Sequence, residues 1–352
     1  MASPVVQEAI ESSTNSAGTS HVVTLPTATA NQLLLIILDK GSTSATINSH
    51  ASLTELLDEA SANGLYIAYR WMDGTEPSSY TLTSSASTRT ARIAYRISGA
   101  ANPATTAPQI GTTGTGTSAT PDPPASATPP SSKDYLFIAF FGQAGEEADD
   151  DTWVNTPPTN YTPSPPRQKA CGTAGTNLGG KIGSAERALT TGSAENPGTF
   201  GVDVSAAWRS QTITIHPDTT APVLTSAQDG TPDSTGTTGA GVSTDEGNGT
   251  LYWVLVPNAD APSAAQVKAG QQSDSSAAID SGNQAVSATG AQVVSGVDGG
   301  SPSTDYELVF AHEDAFGNIS STASIGLTTT AAPSFLPAWA REATRTMSTG
   351  TV

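Results

Sequence analysis

Cysteine is almost absent: Cys171 stands alone among 352 residues, so no disulfide can form within the chain and each folded part rests on packing. Synthesis in a reducing cytoplasm fits. Charged residues make up only 13%, about half the usual share, and the 14 Lys and Arg are outnumbered by 32 Asp and Glu, a net charge of −18. So negative a surface repels phosphate backbones and anionic bilayers. Nucleic acid is not an expected partner. The greasiest run, Leu33–Leu38, falls far short of the roughly 20 residues of a membrane helix. The start, Met1-Ala-Ser-Pro-Val-Val-Gln-Glu8, has neither the basic end nor the apolar centre of a signal peptide. Neither membrane insertion nor secretion by a leader is expected.

What fills the chain instead is Ser, Thr, Ala, 33 Gly and 24 Pro. Gly and Pro break helices, while Ser and Thr compete for the backbone, so the composition favours short strands joined by many turns. The expected class is all-β. Strands are predicted at 21–25, 33–38, 65–71, 80–83, 90–97, 134–141, 199–204 and 210–216, with segments such as Leu65-Tyr-Ile-Ala-Tyr-Arg-Trp71 alternating at period two. Leu33–Leu38 and Tyr135–Phe141 lack alternation, as befits central strands covered on both faces. Leu53, Leu56, Leu57 and Ala60 recur at helical spacing, yet a strand is favoured there. The tract 102–132 holds Pro, Thr, Gly and Ala with almost no large apolar group; it is expected not to pack, as an exposed excursion or a long loop inside the first domain.

At His216-Pro-Asp-Thr-Thr-Ala-Pro222 the strand pattern stops in prolines and restarts at Val223, which marks a domain boundary. Seven short strands follow, at 223–227, 239–243, 250–256, 284–287, 292–296, 305–312 and 320–328, with a short helix at 264–269 capped by Ser263. The expected layout is an N-terminal arm (1–18), a first β-sandwich (19–217), an immunoglobulin-like sandwich (218–330) and a C-terminal tail (331–352).

Site chemistry is sparse. Gly175-Thr-Asn-Leu-Gly-Gly-Lys181 nearly spells a phosphate-binding loop, but Ile182 stands where a magnesium-binding hydroxyl belongs. The acidic run Glu146-Glu-Ala-Asp-Asp-Asp151 lacks the spacing of a calcium loop; a solvated loop is expected there, with a bound calcium as the alternative. The four histidines, His21, His50, His216 and His312, have no zinc-ligand spacing. Asp314 to Asn318 has the composition of a β-turn, with Gly317 and Asn318 suited to positive φ. Trp153, Tyr161 and Trp208 are weighed as glycan contacts against core packing, and Trp253 is expected in the core. No catalytic residue is expected. In the tail, Phe335, Leu336, Trp339 and Arg341 are candidates for anchoring or oligomerisation.

Two stretches carry a resemblance. Ser20-His-Val-Val-Thr-Leu-Pro26, Ala91-Arg-Ile-Ala-Tyr-Arg-Ile-Ser-Gly99, Lys133-Asp-Tyr-Leu-Phe-Ile138, Pro158-Thr-Asn-Tyr-Thr162 and Thr212-Ile-Thr-Ile-His-Pro217 resemble a jelly-roll or lectin-like module of tailed-phage structural proteins. Asp218-Thr-Thr-Ala-Pro222, Thr244-Asp-Glu-Gly-Asn-Gly-Thr-Leu-Tyr-Trp253 and His312-Glu-Asp-Ala-Phe-Gly-Asn318 are similar to a fibronectin-type-III or Ig-like repeat of phages and bacteria. The resemblance implies a non-enzymatic virion protein, exposed on the particle surface and homo-oligomeric, with other virion proteins as partners. Within it, a capsid decoration protein (cement or head fibre) leads. A tail-tip or tail-fibre protein binding host glycans is the alternative, and a secreted bacterial adhesin a third.

Overall fold

The computed structural model describes residues 3–41, 44–145, 153–172 and 179–333. The chain is all-β and divides into two units, Met1–Thr219 and Thr220–Val352.

The first unit contains β1 (Val5–Thr24), β2 (Leu33–Asp39), β3 (Thr54–Asp58), β4 (Leu65–Trp71), β5 (Ser79–Ser98), β6 (Gln109–Ile110) and β7 (Gly114–Ser118). It continues with β8 (Lys133–Gly145), β9 (Val154–Thr156), β10 (Thr162–Cys171), β11 (Gly179–Thr191), β12 (Gly201–Val202) and β13 (Ala206–Ile215). One antiparallel sheet runs β1-β5-β2-β4-β3, and a second runs β10-β11-β8-β13-β6, with β7 also on β13. The two face each other across a core that joins Leu33, Leu35 and Ile37 to Leu136, Ile138 and Phe140. A sandwich results. Strand β2 lies in the middle of its sheet, so Leu34, Ile36 and Leu38 pack on the opposite face with Tyr66, Ala68 and Tyr80. All six residues of Leu33–Leu38 are fully buried, at about 1.5–3 kcal/mol each. The outer face of the second sheet is covered in turn, by Trp153, Tyr161 and Phe200 over Phe137 and Phe141.

Three expectations are corrected. Residues 1–18 are not a free arm from Val5 onward, since β1 pairs with β5 from Val5↔Ser98 to Thr24↔Ser79, with bulges. Its Ser, Thr and Gly offer little apolar signal, and backbone hydrogen bonding to β5 places it. That same β5 merges the two strands predicted at 80–83 and 90–97. The tract 102–132 is not an excursion. It supplies β6 and β7, the Asp122 and Pro124 carbonyls accept from Ser210 Oγ (2.9 Å) and Thr212 Oγ1 (2.6 Å), and Pro121, Pro123 and Pro129 are buried. Prolines and backbone carbonyls pack it without large side chains. Lastly, β10 and β11 fall where no strand was predicted, because Pro163, Pro165, Pro166 and a glycine pair hide the pattern; β10 lies at a sheet edge, where Pro is tolerated.

The second unit contains β14 (Leu224–Gln228), β15 (Thr231–Pro232), β16 (Thr237–Thr238), β17 (Gly241–Thr244), β18 (Thr250–Pro257), α1 (Ala264–Lys268), β19 (Asp280–Ala285), β20 (Gly290–Val293), β21 (Asp305–Glu313) and β22 (Ala323–Thr328). A three-stranded sheet β14-β17-β20 and a four-stranded sheet β19-β18-β21-β22 enclose Val242, Leu251, Trp253, Leu308 and Phe310. Helix α1 carries the expected Ser263 cap, reciprocated by Gln266, and packs Val267 onto Val254, Val256 and Val309. Among the described residues no helix is long and apolar enough to cross a membrane.

Candidate functional site

The aromatic residues weighed for sugar stacking lie inside the first unit. Trp153 is 2% exposed, set edge-on to Phe141 at 5.4 Å, with the Lys181 ammonium 5.1 Å from its ring. Tyr161 is 3% exposed and donates to Glu195 Oε1 at 3.3 Å; burial, then the charge of Glu195, raises its pKa. Trp208 is 9% exposed, and its indole N–H donates to Ser118 Oγ at 3.0 Å. None offers an open ring face, so of the two readings core packing holds for these three and glycan contact does not. Phe335, Leu336, Trp339 and Arg341 lie outside the described residues, as does the acidic run 146–151 weighed for calcium. Lys181 belongs to strand β11, not to a loop ahead of a helix.

His21 and His312 hydrogen-bond within the fold. His21 is fully buried between Ser84 Oγ (3.0 Å) and Thr90 Oγ1 (3.3 Å), and burial followed by the charge of Arg92 pulls its pKa down to about 4. In the second unit, His312 bridges Thr244 Oγ1 (2.8 Å) and the Asn248 carbonyl (2.6 Å), which makes Nε2 the donor. The Asp314 carboxylate accepts from the Phe316 and Asn318 amides at 2.7 and 2.9 Å, closing the turn foreseen there; of Gly317 and Asn318, Gly317 takes the positive φ, 85°.

A buried polar group went unforeseen at the end of β2. Asp39 is fully buried, its Oδ2 accepts from the Gly41 amide at 3.2 Å, and Oδ1 has no hydrogen-bond partner among the described residues. Burial pushes its pKa up to about 8, so the carboxyl is largely neutral at pH 7. Glycines make its room: a Cβ on Gly180 would overlap Oδ2. Cys171 ends β10, and its thiol is pushed up to about 12 by burial and by Asp39. Such a thiol is inert. The available signal was Asp39-Lys40 directly continuing an unbroken apolar run.

On the surface, a groove of about 380 Å3 is lined by Leu53, Thr54, Tyr69, Arg70, Trp71 and Asn102. Arg70 is fixed by Glu76 (2.9 Å) and Asp73 (2.7 Å), and Trp71 is half-buried. Trp71 and Asn102 in one lining suit a neutral polar ligand such as a sugar. Among the described residues no carboxylate lines this groove, so the carboxyl pair of glycoside hydrolysis is not assembled there. Compared with known proteins, the chain matches no family model and no curated protein.

Proposed function

We propose that this chain is a non-enzymatic structural protein of a tailed-phage virion, with a capsid decoration protein as the leading form. The observation that carries the reading is the succession of two separately cored β units without a disulfide, in the segments whose sequences resemble a phage sandwich module and an Ig-like repeat. A negative charge of 18 also keeps crowded copies from sticking together. Attachment is assigned to Phe335–Arg341, whose apolar groups gain from burial on a partner and bind tightly when several tails engage at once. Purified particles test this. Hundreds of copies on heads, by quantitative mass spectrometry and immunogold, support decoration, and a handful at the tail end overturns it. Loss of occupancy on deleting Ala332–Val352 supports the tail as the anchor; undiminished occupancy removes that role.

The second reading, a tail component that binds host glycans, is favoured by the groove at Trp71. Glycan binding that Trp71→Ala abolishes supports it. Binding unchanged by that substitution moves the ligand elsewhere.

A further inference from the structure

Lys40 follows directly on β2, and its side chain is wholly buried, facing an Asp58 side chain that is 9% exposed. Its ammonium donates to Asp58 Oδ1 and, at 2.5 Å, to the Glu59 carbonyl. The other carboxylate oxygen, Asp58 Oδ2, accepts from the Ile47 amide at 2.7 Å. A bulge in β3 completes the arrangement. Glu55 pairs with Ala68 and Asp58 with Tyr66, with the register shift falling between Glu55 and Leu57. Because Ala68 and Tyr66 lie two apart on β4, the bulge turns both acids, three residues apart, onto one face of the sheet. Lys40 continues the Leu34, Ile36 and Leu38 side of β2, which is the same face.

We propose that Lys40 and Asp58 condense into an intramolecular isopeptide bond. Proton transfer within the ion pair leaves an amine and a carboxylic acid. Nζ then attacks Cγ, the C–N bond forms, the C–Oδ1 bond breaks, and Oδ1 departs as water with its own proton and one from nitrogen. No oxidant or co-reactant is needed. The hydrogen bonds already present suit the product: Oδ2 becomes the amide oxygen and keeps the Ile47 N–H, while the remaining N–H keeps the Glu59 carbonyl. Condensation also removes two charges from a place where desolvation opposes them. Glu55 is the group that relays the proton from nitrogen to the departing oxygen. Burial, then the charge of Asp58, raises its pKa, which suits an acid that must hold and release a proton.

Intact mass spectrometry of the purified full-length chain tests this directly. The wild type is expected one water lighter than its sequence, and Lys40→Arg at its full sequence mass. Digestion should yield a branched peptide joining the segments around Lys40 and Asp58. Glu55→Gln should slow the loss at least tenfold, and equal rates would remove Glu55 from the reaction. A wild-type chain at full sequence mass overturns the proposal, whether or not the variant folds, and so does a missing water that persists in Lys40→Arg.

Discussion

Asp39 shows at the scale of one residue how a buried group writes itself into the pH dependence of the whole fold. Its carboxyl has a pKa of about 8 in the folded chain against 3.8 when exposed, so across that window the folded state binds the additional proton. Stability therefore falls as pH rises from about 4 to 8. His21 acts in the opposite sense, since its folded value of about 4 lies below 6.5 and neutral imidazole gains stability as pH climbs to that value. The two effects overlap below pH 6.5, and above it Asp39 dominates. Asp39→Asn keeps the shape and removes the charge. The melting temperature of the wild type should drop between pH 6.5 and 8 while that of Asp39→Asn stays nearly level; parallel curves would show that Asp39 ionises without resistance.

Among elements, one device occurs in both units. Trp208 on β13 is paired with Gly116 on β7, and Trp253 on β18 with Gly282 on β19. Each indole lies across its glycine so closely that a Cβ would come within 2.5 Å of the Trp208 ring and 2.6 Å of the Trp253 ring. Gly282→Ala should therefore destabilise the second unit by about 1–3 kcal/mol, the range of an overpacked core, read as a lower urea midpoint; an unchanged midpoint would mean that Trp253 has room to swing. Ser263→Ala should cost about 1 kcal/mol through the lost cap of α1. Restoration by Thr or Asp at 263 would separate capping from packing. Such pairs also mark where the sequence is legible and where it is not. Trp253 and the unbroken run Leu33–Leu38 declare themselves, because large apolar side chains at strand spacing or in an unbroken run have few ways to be buried. Gly116 sits in a tract whose packing uses carbonyls and prolines, and β10 and β11 are set by the ladder that joins them to β8, so neither leaves a hydrophobic period to find. The candidate site was less legible still: Trp71 lay in a visible strand, but its groove needs Asn102, about thirty residues on and brought near only by the fold.

For the whole molecule, what matters is that each unit has apolar cores of its own. The clusters around Leu35, around Leu34 and Ile36 on the outer face, and around Phe141 lie within the first unit, and those around Phe310 and Val267 lie within the second. Backbone pairing ties the first unit down as far as Asp218, whose amide donates to the Gly99 carbonyl at 2.8 Å, while the His216 carbonyl accepts from the Ala101 amide at 2.9 Å. Beyond it, Thr219 and Thr220 are exposed, and an exposed stretch between two separately cored units is where a protease enters. The tract 102–132 has lost that vulnerability, since β6 and β7 and the buried prolines hold it. Limited proteolysis should therefore cut first at 219–221 and spare 102–132, leaving two folded products. Chains ending at Thr219 and starting at Thr220 should each fold alone, each with a cooperative melting transition of its own. A first cut within 102–132, or a second unit that is unfolded when expressed alone, would mean that the two cores do not stand independently.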